Sequence, residues 1–239
     1  MSYDTSPGNS RLVFAVLVIL AIVVGYLAYR WFSSGGVRAA RVLAYKSDPS
    51  TRPEYELKIG ERCGEAPFIM PTNGTTVYIW DDSFYSGHRH QGIDTFGGEG
   101  LNQTQVVAAY PGYLTRLPDW KSSVIIRIPE DPLKTGRQIW TYYTHMADRE
   151  GNSFITPEFP PWTEEEYVEA GTLVGYQGNF SGDPFNPTGI HLHFSIVLDD
   201  GRGEFRNELE IKNTLDPSPY LGLPLNANQN KTEVPQCTN

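Results

Sequence analysis

Leu12 to Tyr29 is an uninterrupted apolar run of 18 residues, bounded by Arg11 and Arg30. A bilayer-spanning helix needs about 20 such residues, so the run sits near the lower limit for a span and separates the first forty residues from the rest. A cleaved signal peptide is the competing reading. The run is long for the apolar core of a signal peptide, Arg30 follows it directly, and no small-x-small cleavage site or lipid-attachment cysteine comes soon after. A retained anchor over residues 12–32 is therefore expected, with residues 1–11 as a short tail. The flanking charges complicate its orientation. Arg11 precedes the span whereas Arg30, Arg38 and Arg41 follow it, so a simple positive-inside count leaves the larger part of the chain in the cytoplasm.

The remainder reads as mainly β. Short β-branched and aromatic runs occur at Thr76 to Trp80, Gln105 to Tyr110, Val124 to Ile128, Gln138 to His145, Leu173 to Gln177 and Ile190 to Leu198. Glycine, proline and aspartate separate them. No long amphipathic helix follows the span. The expected architecture is a compact antiparallel β-sheet or sandwich behind a single N-terminal transmembrane helix. Residues 33–62 read as a linker leading into the domain, 63–225 as the domain itself and 226–239 as a polar tail. Thr163 to Glu169, with three successive glutamates, reads as a short capped helix.

Five histidines are present, and four lie in strand-like segments or beside a carboxylate. Ile190 to Leu198 alternates, so His191 and His193 face the same way, roughly 7 Å apart along a half-buried strand. They need not bind one ion together: one can hold a metal while the other reaches water. His90 and Asp94 would lie roughly 13 Å apart on a straight strand, too far for ligands each about 2 Å from one zinc. The chain must bend between them, and Gly92 is the residue best able to allow it. His145 ends another strand-like run. Two histidines, one carboxylate and spare histidines form a set suited to metal-assisted proton transfer.

These residues resemble the lysostaphin-like (LytM-type) zinc metallopeptidases that cut bacterial cell-wall peptides. The resemblance covers approximately residues 76–221. His90-Gln-Gly-Ile-Asp94 looks like the first metal motif of that family and Val107-Ala-Ala-Tyr-Pro-Gly112 like the strand and turn after it. Tyr143-Thr-His145-Met looks like the middle histidine motif, and Gly175-Tyr-Gln-Gly178 leads into His191-Leu-His-Phe194. The resemblance implies that His90, Asp94 and His193 bind one Zn2+ per chain, while His145 and His191 are unligated catalytic histidines. It places the metallopeptidase domain over residues 63–225. Two segments depart from the family pattern, Asn179 to Thr188 and Phe159 to Glu169, and both bear on substrate specificity.

Three protein ligands leave a fourth zinc position for water, as catalytic sites do. The expected reaction is hydrolysis of a peptide bond in peptidoglycan stem or cross-bridge peptides by zinc-activated water. His145 or His191 would act as general acid and base. The alternative is a non-catalytic scaffold or activator of another cell-wall hydrolase using the same fold, a class expected to have lost ligands. The substrate lies outside the cell, so a single-pass membrane protein with an extracytoplasmic catalytic domain is expected, against the charge count. Long domains translocate largely regardless of their charges.

Other signals are weaker. The formal charge of −9, from 28 acidic and 19 basic residues, offers no basic footprint for nucleic acid. Cys63 and Cys237, the two cysteines, are compatible with one disulfide joining the ends of an exported domain, or with two free thiols. Tyr143 could contribute a hydrogen bond at the site or pack at its rim. Phe159-Pro-Pro-Trp162 could wall the groove or cover a sheet edge, and the linker near Tyr45 to Tyr55 could lie across the groove.

Overall fold

A computed structural model describes residues 8–33, 40, 43–45, 47–83, 87–230 and 232–237. Helix α1, Gly8–Ser33, carries the apolar run. Its segment Leu12–Trp31 is long and apolar enough to cross a membrane, and none of it is buried within the protein.

Ten strands follow. They are β1 (Thr75–Tyr78), β2 (Ile93–Phe96), β3 (Gln105–Val107), β4 (Gly112–Arg116) and β5 (Val124–Ile128). After them come β6 (Ile139–Thr144), β7 (Thr163–Val168), β8 (Leu173–Tyr176), β9 (Leu192–Leu198) and β10 (Thr214–Leu215). The main sheet runs β1-β2-β9-β6-β5-β4-β7, with β10 also pairing β9, and β3 and β8 form a two-stranded ribbon. All these pairings are antiparallel. The architecture is mainly antiparallel β. Short helices after α1 include the single turns α2 (Arg52–Tyr55) and α3 (Ser218–Leu221).

The alternation in β9 is real, yet the strand is buried on both faces. Leu192, Phe194 and Ile196 enter the main core with Val106, Leu114, Ile126, Ile139 and Val174. Ser195 and Val197, on the opposite face, are also fully buried, because Ile125, Trp140 and Tyr142 pack there with Trp120 and Phe205. That second layer covers only part of the sheet. His193, on the same face and half-buried, lies where the cover ends.

Thr163 to Glu169 is not a helix. Thr163–Val168 is the edge strand β7, paired to β4 with a register shift beside Glu165, whose φ is +53°. Burial of its two ends, Thr163 and Val168, outweighs the helical preference of glutamate, and the exposed Glu164, Glu165 and Glu166 charge an edge that would otherwise invite further pairing. Strands β4 and β10 also escaped the sequence pattern. β4 contains Gly112 and only five residues, and β10 contains two.

Segments at both ends of the sheet region pack against it. Tyr45 is fully buried, with its hydroxyl 3.3 Å from the Gly97 carbonyl. Beyond α3, Leu225, Asn226, Ala227, Asn230 and Val234 are buried, and Asn226 bridges to Trp80. Cys63 and Cys237 form a disulfide across 174 residues, with Cα atoms 5.1 Å apart.

Candidate metal centre

Strand β9 lies between β2 and β6, and its pairing sets up the site. His193 stands opposite Asp94 on β2 and opposite Thr144 on β6. Neighbouring strands are about 4.8 Å apart, so the two side chains are brought together by register alone. His90 precedes β2 in a loop, held by mutual backbone bonds: Asp81 N–H donates to the His90 carbonyl and His90 N–H donates to the Asp82 carbonyl, both at 2.8 Å.

Gly92 joins His90 to β2, for a reason different from the one the sequence suggested. Its φ is not in the left-handed region; space is what requires glycine. A Cβ there would meet the Phe194 carbonyl oxygen at 2.2 Å and the Ser195 Cβ at 2.9 Å. The absence of a side chain lets the His90 segment descend onto β9.

Three ligand-type atoms converge as a result. His90 Nε2 lies 3.1 Å from Asp94 Oδ1 and 3.1 Å from His193 Nδ1, and His193 Nδ1 lies 2.8 Å from Asp94 Oδ1. These residues form the group of metal-ligand type among the described residues. His90 Nδ1 is 3.1 Å from the Ile79 carbonyl oxygen, which can only accept. A neutral His90 thus carries its proton on Nδ1 and turns a lone pair on Nε2 toward Asp94 and His193.

The two other predicted site histidines are arranged in the same manner. His191 Nδ1 donates to the Gly189 carbonyl at 2.7 Å, and its Nε2 lies 3.5 Å from Asp94 Oδ1. Its ring stacks on Phe96, with centroids 4.8 Å apart and planes 17° apart. His145 Nδ1 donates to the Phe180 carbonyl at 2.5 Å, and its ring centroid lies 4.5 Å from that of His191. His145 sits just past β6 with φ +73°, an unusual conformation for a residue other than glycine. Gly178 accommodates it: a Cβ at 178 would fall 2.5 Å from the His145 carbonyl oxygen and 2.1 Å from that of Ala147.

The electrostatics of the protein alone show what this crowding demands. Burial opposes charge on both His90 and Asp94, but their attraction prevails, so the His90 pKa is raised and the Asp94 carboxyl is held well below the usual carboxylate range, with His191 also contributing. Burial pushes the His193 pKa down despite Asp94. Burial, reinforced by His191 and His193, lowers the His145 pKa to about 3. In the protein alone His145 is thus neutral at ordinary pH. Two imidazole nitrogens and a carboxylate oxygen converge within hydrogen-bond distance, with too few protons to satisfy every lone pair. This donor set fits a divalent cation such as Zn2+.

The set opens into a cleft of about 660 Å³. Its walls include Tyr78 and Gln91, Ser123 and Tyr142, the Phe180–Gly182 stretch, and Glu208 with Leu209. All five predicted site residues, His90, Asp94, His145, His191 and His193, line this cleft.

Several neighbouring expectations are corrected. Tyr143 neither joins the site nor sits at its rim: it is fully buried, accepts a hydrogen bond from Ala109 N–H at 2.8 Å and packs on Phe194. The left-handed turn at His145 breaks the two-residue alternation that would have put the two on one side. Tyr142 lines the cleft instead. Phe159 is in the core and Trp162 is 77% exposed beside β7, so neither walls the groove. The described residues of 43–55 do not line it either. Of the two departures from the family pattern, Asn179 to Thr188 reaches the cleft through Phe180, Ser181, Gly182 and Thr188. Sequence reasoning missed Tyr78, Tyr142, Ser123 and Glu208, which come from four separate segments and carry no shared spacing.

No protein-family model matches the chain, and no curated protein matches it. Among solved structures, the chain is similar to a mutant catalytic domain of the prophage-encoded M23 protein EnpA from Enterococcus faecalis. That similarity has 22% identity and a TM-score of 0.36, over 62% of this chain and 95% of that one. It is also similar to a LytM protein of Ruminococcus gnavus assigned as a glycyl-glycine endopeptidase, at 22% identity and a TM-score of 0.35, over 60% of this chain and 49% of that one. The chain thus spans about half the length of the second.

Proposed function

We propose that the chain is a membrane-anchored zinc endopeptidase of the lysostaphin-like family, acting on peptide bonds in cell-wall peptidoglycan. The observation that carries this reading is the convergence of His90 Nε2, Asp94 Oδ1 and His193 Nδ1 within 3.1 Å, with two further imidazoles in the same cleft. Residues 63–225 would form the metallopeptidase domain, with residues 12–32 holding it to the outer face of the membrane through α1.

In this reading His90, Asp94 and His193 hold the ion. Bound zinc supplies a Lewis acid and lowers the pKa of water to near 7. The Ile79 carbonyl fixes the His90 tautomer, keeping its lone pair directed at the site. Either His145 or His191 accepts a proton at Nε2 from water and delivers it to the departing amine. The carbonyls of Phe180 and Gly189 fix each Nδ1 proton, so Nε2 is the available base on both rings. The Phe96 stack restrains His191, and the second histidine stabilises the developing oxyanion.

The test is full-length protein in detergent, loaded with one equivalent of Zn2+ and incubated with purified peptidoglycan. Newly exposed amines are expected, and their loss on chelation is expected with them. Stoichiometric zinc with no cleavage would overturn the enzyme reading and leave a scaffold.

A further inference from the structure

We propose that Glu208 is a specificity residue that binds an ammonium group of the substrate beside the scissile bond, so that the preferred peptides carry a free amine there. The inference rests on the peptidase reading and narrows its substrate class.

Among the described residues, Asp94 and Glu208 are the only acidic side chains lining the cleft, and no lysine or arginine lines it. Asp94 is committed to three histidines. Glu208 is half-buried and, among the described residues, makes no hydrogen bond or ion pair. A carboxylate so placed has lost part of its hydration without a partner in return, and a cation entering the cleft would restore the balance. Glu208 is not part of the ligand group, which comprises His90, Asp94 and His193.

Its position is fixed by its neighbours. Glu208 occupies a turn in which Leu209 N–H donates to Asn207 Oδ1 at 3.0 Å and Asn213 Nδ2 donates to the Asn207 carbonyl at 2.9 Å. Gln91, next to His90, donates from Nε2 to the Leu209 carbonyl at 2.8 Å, tying this turn to the metal-site loop. The charge of Glu208 reaches Tyr142 in the same cleft, where it adds to the effect of burial in raising the phenol pKa. Three cations near this turn in sequence or space are engaged elsewhere: Arg206 donates to the Asp199 carbonyl, Lys212 pairs with Glu210 and Arg89 pairs with Asp81. Lys121 lies over the ring of Phe180 at the cleft margin and does not itself line the cleft.

The probe is a set of neutral glycine-alanine pentapeptides, blocked at both ends, with lysine or N-acetyl-lysine at each position in turn. A further peptide has a free N-terminus and no lysine, which separates a side-chain amine from a terminal one. Binding to the zinc-loaded full chain and turnover are both measured, for wild type and Glu208→Gln. At one position, or with the free terminus, wild type should favour the ammonium peptide over its uncharged counterpart by about tenfold. Glu208→Gln should reduce the ratio to within about twofold, and Glu208→Lys should invert it in favour of the uncharged peptide. Turnover without an ammonium preference, or a preference that survives in Glu208→Gln, overturns the assignment while the peptidase reading stands. An ammonium preference in binding that Glu208→Gln abolishes, with no peptide cut, supports Glu208 and overturns the peptidase reading. Failure of every peptide to bind overturns this assignment.

Discussion

Gly92→Ala adds a single methyl group at the place where the His90 segment descends onto the central strand. The new Cβ would stand 2.2 Å from the Phe194 carbonyl oxygen and 2.9 Å from both the Phe194 carbonyl carbon and the Ser195 Cβ. That is roughly 1 Å short of an ordinary contact, and the obstructing atoms are mainly backbone of β9, which is paired on both sides. The cost must therefore be met by displacing β2, carrying His90 and Asp94 away from His193. Overpacking of this kind costs about 1–3 kcal/mol. In a domain of this size it would lower Tm by roughly 2–12 °C. A shift approaching 1 Å in two of three ligand atoms should weaken zinc binding by about 10- to 100-fold, the range seen when groups orienting metal ligands are lost. Thermal unfolding of metal-free protein gives the first quantity, and competition with a chromophoric chelator gives the second. Unchanged Tm and zinc affinity in Gly92→Ala would refute close strand approach as the reason for glycine.

Other perturbations separate the parts of the account. Replacing His145 or His191 with alanine should reduce hydrolysis by at least about 100-fold while zinc remains bound; loss of zinc in either would exchange ligand and base. Cys237→Ser removes a link across 174 residues, worth up to about 5 kcal/mol by chain entropy, so Tm should fall by roughly 10–20 °C. An unchanged Tm would mean that the packing of Asn226 to Val234 holds without it. The His145 pKa of about 3 lies below its unfolded value near 6.5. The unfolded chain therefore binds more protons between these values, and His145 makes metal-free stability rise with pH across that window. Denaturant midpoints at pH 5.0 and 6.5 should show a smaller rise in His145→Gln than in wild type, and equal rises would contradict a buried neutral imidazole. Deleting residues 1–33 should release the chain from lipid vesicles, and continued association would exclude α1 as the sole anchor.

Much of this site was legible because its residues travel in short motifs. His191 and His193 sit two apart on a strand, and His90 and Asp94 flank a glycine, so local periodicity marked candidate donors, while the choice of His90, Asp94 and His193 among them came from the resemblance to lysostaphin-like peptidases. The antiparallel β class was similarly visible in the punctuated runs around Val124–Ile128 and Leu192–Leu198. What was hidden depends on contacts between distant segments. The glutamates after Thr163 form an edge strand because β4 supplies a partner, a tertiary preference that overrides local helix propensity. Tyr143 and Tyr142 exchanged roles because one left-handed residue, His145, ended the alternation. Glu208 reaches the cleft through a turn tethered by Gln91, more than a hundred residues away in sequence, and no spacing rule could announce it.

The central claim is that one divalent ion is held by His90, Asp94 and His193, and by neither of the other two histidines in the cleft. Zinc content of the full-length protein and of five single alanine variants, measured by elemental analysis after equilibrium dialysis, tests it most directly. About one zinc per chain is expected in wild type, His145→Ala and His191→Ala, and little in His90→Ala, Asp94→Ala and His193→Ala. Retention of zinc by all three ligand variants, or no zinc in wild type, would contradict the account.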